Sequence, residues 1–131
     1  MSSGCVDAFT EAIKSAGIAT LDGVFSADAV VDATVPNWRF SIRGEAAIKA
    51  EFARWYADPA RFEELRRTPL PDGELVEYLL AWEEDGVPHA SHQAHRLEIA
   101  NGLITRDTVW CGGRWPASLL AEMEAAAQAA V

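Results

Sequence analysis

The chain is poor in positive charge. Its 131 residues carry 11 Lys and Arg against 20 Asp and Glu, a formal net charge of −9. Phosphate contacts need clustered Lys and Arg, and no cluster is present, so nucleic acid is excluded as a partner. The same deficit argues against docking to anionic membranes. Cysteine is scarce too. Cys5 and Cys111 make neither a CxxC motif nor a disulfide framework, which points to a reducing compartment, the cytoplasm. No run of about 18 apolar residues exists, so no membrane-spanning helix is expected. The N-terminus has Asp7 and no basic segment ahead of an apolar core, unlike a signal peptide. Internal repeats and linkers are lacking. One domain over residues 1–131 is the expectation.

Hydrophobic residues make up 50% of the chain, enough for a core without a metal or disulfide staple. Val6, Phe9, Ile13 and Ala16 recur at steps of three and four, which predicts an amphipathic helix over 5–16, ending at Gly17. A shorter helix is expected over 18–25. The valine-rich run 28–35 reads as a strand, Pro36-Asn37 breaks it, and 38–42 alternates as a return strand. Ile48, Phe52, Trp55 and Tyr56 share one face of a helix over 45–56. Residues 60–65 read as one more helical turn. The period then changes to two, over 75–83, 89–99 and 103–111. Asp85-Gly86 and Asn101-Gly102 separate these runs, and such pairs suit type I′ turns, which need positive φ at both central residues. Pro116 opens a C-terminal helix with Leu119, Leu120 and Met123 on its apolar side. Helices first and a meander last predict an α+β fold, with N-terminal helices on one face of a curved antiparallel sheet.

Two-residue turns fix the register, and register decides which side chains share a face. A turn at Asp85-Gly86 sets Tyr78 opposite Gln93, Val76 opposite His95 and Trp82 opposite His89. A turn at Asn101-Gly102 sets His95 opposite Thr108 and Gln93 opposite Trp110. One face then mixes Tyr78, Trp82, Gln93, His95, Thr108 and Trp110 with aliphatic residues, the composition of a ligand-cavity wall. The other face pairs Arg96 with Asp107, an exposed ion pair. A bulge in either hairpin would exchange the faces beyond it.

His95 is the titratable candidate on that wall, because imidazole moves protons near neutral pH. Tyr78 and Gln93 can orient a carbonyl or hydroxyl, and Trp38, Trp82 and Trp110 can line a pocket. His89, His92 and His95 do not form a metal site. Steps of three along a strand turn His92 to the opposite face, and His89 and His95 are about 20 Å apart when extended. The register also sets His92 across from Cys111, which is read as a free structural cysteine rather than a nucleophile.

Three segments carry a resemblance. They are Phe25-Ser26-Ala27-Asp28-Ala29-Val30-Val31-Asp32, then Arg43-Gly44-Glu45-Ala46-Ala47-Ile48, then Asn101-Gly102-Leu103-Ile104-Thr105-Arg106. In that order and spacing they resemble the nuclear transport factor 2-like superfamily, in its SnoaL-like branch of polyketide cyclase and ketosteroid isomerase type. The resemblance implies a cone-shaped fold around an apolar pocket, a homodimer through the outer sheet face, and no cofactor. It implies an apolar, oxygenated small-molecule ligand and proton-transfer chemistry of isomerase, cyclase or dehydratase type. A non-catalytic ligand-binding or dimeric interaction domain is the alternative. The isomerase base falls at Ala33 here, and Asp32 stands one place early. The cyclase acid after the last aromatic is absent from Trp110-Cys111-Gly112-Gly113.

Overall fold

The computed structural model describes residues 3–130. Helix α1 spans Gly4–Ser15, followed by a single 3₁₀ turn at Ile18–Thr20. Strands β1 (Phe25–Val35) and β2 (Trp38–Arg43) form a hairpin, and α2 spans Glu45–Trp55. Then come β3 (Ala60–Leu70), β4 (Gly73–Glu84), β5 (Val87–Ala100) and β6 (Leu103–Cys111). A two-residue strand β7 (Trp115–Pro116) leads into α3 (Ala117–Ala129). The sheet order is β2-β1-β6-β5-β4-β3, and β7 pairs with β5. The architecture is α+β, a curved sheet with α1 and α2 packed on one face.

The sheet is mixed rather than wholly antiparallel, because β1 runs parallel to β6. Two local expectations also change. Residues 18–25 make only one 3₁₀ turn, since Phe25 already belongs to β1. The stretch read as a helical turn over 60–65 is instead the first half of β3. Its charged residues and Pro69 suit an edge strand, where one side of the ladder faces water and a missing N–H does no harm. Pairing with β4 overrides its helical composition. Helix α1 ends one turn position early, with Ala16 in the left-handed region (φ 60°) in the place expected of Gly17.

Both hairpin turns adopt the expected conformation. Asp85 and Gly86 have φ of 50° and 78°, and Asn101 and Gly102 have 53° and 76°. The β4–β5 register is the predicted one along its whole length, with Tyr78 opposite Gln93 and Val76 opposite His95. The β5–β6 register holds only at the turn. Ile99 pairs with Ile104, but Glu98 then pairs with Arg106, so Thr105 is an extra residue in β6. Its hydroxyl donates to the Glu98 carbonyl at 3.2 Å. This bulge exchanges the faces of β6 from residue 106 onward.

The core lies between the helices and the concave sheet face. Phe9 of α1 meets Phe25 edge-on at 5.6 Å and stacks on Phe52 of α2 at 5.9 Å. Val6, Ile13, Ile48, Val31 and Leu97 complete it with no solvent exposure. Residues spaced for helical periodicity and residues spaced for strand alternation therefore meet on one apolar surface. Arg67 of β3 ties α1 to the sheet, donating to both oxygens of Glu74 at 2.8 Å and pairing with Asp7. Helix α3 buries no residue and lies outside, where Leu120 shares a shallow groove with Leu79, Ala81 and Ala90. Among the described residues, no helix is long and apolar enough to cross a membrane.

Candidate functional site

Alternation along β5 turns Ser91, Gln93 and His95 onto the concave face, and β4 adds Tyr78 beside them. The β6 bulge completes the set. It turns Asp107 inward, so that the carboxylate reaches His95, with Oδ2 2.7 Å from Nδ1. Both side chains have 0% solvent exposure. A carboxylate can only accept, so the shared proton sits on Nδ1, and Nε2 faces the other way. There it lies 2.8 Å from the Tyr78 hydroxyl and 3.2 Å from that of Tyr56, at the C-terminal end of α2. The Phe9 ring meets the imidazole edge-on at 5.4 Å, and Tyr78 stacks on it at 5.6 Å.

The outer end of this line is a triangle. Tyr56 Oη lies 2.7 Å from Tyr78 Oη and 2.6 Å from Gln93 Oε1, and the Tyr78–Gln93 side is 2.5 Å. Two hydroxyl protons cannot serve three sides. Each hydroxyl can donate to the Gln93 carbonyl oxygen, the 2.5 Å and 2.6 Å sides being O–H···O lengths, and the Tyr56–Tyr78 and Tyr78–His95 contacts draw on the same two protons when a hydroxyl turns. The Gln93 amide NH2 donates away from the tyrosines, to Ser91 Oγ at 3.1 Å and to the Cys111 sulfur at 3.5 Å. Burial pushes both phenols well above their ordinary range, so they stay protonated.

A cavity of about 550 Å³ opens beside Tyr56. Tyr56, Ser91, Gln93 and Cys111 form its inner end, and Phe40, Trp55, Leu80 and Trp82 its walls. Glu51, Arg54 and Arg114 also line it. Arg114 sits 5.2 Å over the Trp82 ring, and Arg54 pairs with Glu51 at 3.1 Å.

The structure brings together Tyr78, Gln93, His95 and Trp82 and separates the other sequence candidates. Trp38 is 69% exposed and Trp110 46% exposed. The bulge turns Trp110 to the outer face, opposite Ala94 instead of Gln93. Asp32 also points outward, where Arg39 donates to both of its oxygens and holds its carboxyl below the usual range. His95 and Tyr78 do not line the cavity; they stand behind Tyr56 and Gln93. Arg96 faces Thr108 rather than Asp107 and pairs with Asp72 at 3.2 Å. Cys111 lies opposite Gln93, not His92. Among the described residues no three His, Cys, Asp or Glu side chains cluster for a metal. Sequence reasoning missed Asp107 as a partner of His95 because Thr105 carries no bulge signature. It placed Tyr56 only on an apolar helix face, and α2 packing alone brings that hydroxyl to β5.

No protein-family model matches the chain, and no curated protein matches it. Solved structures do. A hypothetical protein with a ketosteroid isomerase-like fold from Catenulispora acidiphila, solved with trimethylamine, aligns with a TM-score of 0.69 and 20% identity, covering 92% of each chain. An LEH-like epoxide hydrolase of M. tuberculosis aligns at 0.65 with 20% identity over 83% of this chain and 80% of its own. A polyketide cyclase-like protein of Xanthomonas campestris pv. campestris, described only as putative, aligns at 0.63 with 19% identity, over 82% and 87%. At such identities the likeness is one of fold: the chain has the fold of these ketosteroid isomerase-like and polyketide cyclase-like structures and of an NTF2-like protein from Mesorhizobium loti, which aligns at 0.64 with 18% identity over 83% of this chain and 88% of its own.

Proposed function

We propose that the chain binds an apolar, oxygenated small molecule in the cavity beside Tyr56 and moves a proton at it, as an isomerase, cyclase or dehydratase does. The observation that carries this is the unbroken line Asp107–His95–Tyr78–Tyr56, which starts in the core and ends at the cavity. His95 is the base that stores the proton. Neutral imidazole accepts at Nε2 while Asp107 holds Nδ1–H and stabilises the imidazolium that forms. Burial disfavours a free phenolate, so the tyrosines act in concert. Tyr56 takes a proton from the ligand as it gives its own to Tyr78, and Tyr78 gives its own to His95. Reversal returns the proton to another atom of the ligand. Gln93 fixes both hydroxyls through the whole cycle, and Trp82 walls the site against water.

The test is incorporation of solvent deuterium into a panel of polycyclic ketones, followed by NMR, with binding measured in parallel. Wild type exchanges a ketone α-proton, and Tyr56→Phe and His95→Gln each slow exchange by about 10²–10⁴-fold. Equal exchange in both variants rejects the relay. The enclosure of His95 favours a second reading, a binding domain without chemistry. Binding without exchange in wild type would establish it.

A further inference from the structure

The cavity has a charge contrast with the chain that surrounds it. Over the whole sequence acids outnumber bases 20 to 11. In the cavity lining the order reverses, with Arg54 and Arg114 against Glu51. Both arginine side chains are largely exposed, at 79% and 52%, so they stand at the solvent end, while Tyr56 and Gln93 are buried at the inner end. We infer that the ligand is an apolar carboxylic acid, whose carboxylate stays at the mouth between Arg54 and Arg114 while its oxygen function reaches Tyr56. This rests on the cavity reading above and adds the ligand class.

The arginines are prepared for such a partner. Arg114 stacks on Trp82, which fixes the plane of its guanidinium. Glu84 engages Nη2 of Arg114, and Glu51 engages Nη1 of Arg54. A guanidinium has five N–H donors in a fork, so one acid does not exhaust it. Between mouth and inner end the wall is Phe40, Trp55, Leu80 and Trp82, and the acid in the lining, Glu51, is occupied by Arg54 and by the Trp55 indole N–H. A flat apolar body fits there, with an anion at one end and a hydrogen-bonding oxygen at the other.

Calorimetric titration with 6-hydroxy-2-naphthoic acid and with 2-naphthol tests this, since the two share ring and hydroxyl and differ only in the carboxylate. At low salt the acid binds at least about tenfold tighter, the lower end of what hydrogen bonds to a charged group supply. Raising salt shrinks the ratio. Arg54→Gln with Arg114→Gln cuts acid affinity by at least about tenfold and so abolishes the preference over 2-naphthol, and Glu51→Gln raises acid affinity. The arginines are exposed, so these variants keep the fold, which a melting curve verifies. Equal or tighter binding of 2-naphthol by wild type overturns the inference and leaves the cavity reading standing. An unchanged ratio in the double variant does the same. Failure of both probes to bind overturns the two together.

Discussion

Asp107 and His95 face each other 2.7 Å apart across β6 and β5, in register only because Thr105 bulges out of the ladder. Each is buried, and His95 is the partner of Asp107 Oδ2, while the buried Oδ1 has no hydrogen-bond partner among the described residues. Removing one partner of such a pair leaves the other uncompensated. Asp107→Ala therefore costs about 3–5 kcal/mol in urea denaturation. The double variant Asp107→Leu/His95→Phe recovers most of that loss, because a well-packed apolar pair of similar volume needs no compensation. A single-variant cost below about 1 kcal/mol, the range of an exposed pair, would contradict the buried geometry.

The bulge itself can be removed. Deleting Thr105 takes out the extra residue and leaves residues 106–111 on their present β5 partners, with Asp107 and Val109 still inward and Arg106 and Trp110 still outward. The expected outcome is a native near-ultraviolet circular dichroism spectrum. Loss of that spectrum, with dye-binding apolar surface, would show that the bulged residue itself holds the core in register.

Tyr56 and Tyr78 give an alkaline limit to stability. Burial raises both phenols above their ordinary value of 10.0, so the folded chain holds these protons where the unfolded chain has released them. The stabilisation is complete below pH 10 and is lost as pH rises from there toward the folded-state values. Urea midpoints fall through this window, and tyrosinate absorbance appears only with unfolding. Tyr56→Phe/Tyr78→Phe flattens the fall. Midpoints that decline as steeply in that variant would assign the alkaline limit to other groups.

Arg67 offers a check far from the cavity. Its two nitrogens grip a Glu74 carboxylate whose side chain is only 5% exposed. Arg67→Met strands that carboxylate and costs about 3 kcal/mol, whereas Arg67→Met/Glu74→Leu costs less than the single change. A double-mutant cycle in urea reads the difference.

Much of this fold is legible in the sequence because its signals are local. Asp85-Gly86 and Asn101-Gly102 carry their turn type in two residues, and the face of β5 follows from counting outward. That is why Gln93, His95 and Tyr78 are found together from spacing alone. Thr105 breaks the count for β6, and nothing about a threonine between two strand residues announces a bulge. One misplaced residue was enough to lose Asp107 and to turn Trp110 the wrong way. Tyr56 was lost for a different reason. Its hydroxyl meets His95 through the packing of Phe52 and Phe9, contacts between segments that no local pattern relates. Residues 60–65 misled because an edge strand rich in Arg and Glu satisfies helix propensity as well as its real state.

The parallel pairing of β1 with β6 sets an order of events at birth. A ribosome makes Val30–Val35 long before it makes residues 106–110, yet these are neighbours in the finished sheet. Until then β1 has only β2 on one side, and its other edge offers unpaired backbone to any strand nearby. The meander of β3 to β6 pairs sequence neighbours, whereas the seam between β1 and β6 cannot close until residues 106–110 have been made. The open edge of β1 is therefore uncovered by its own partner throughout the synthesis of residues 36–105.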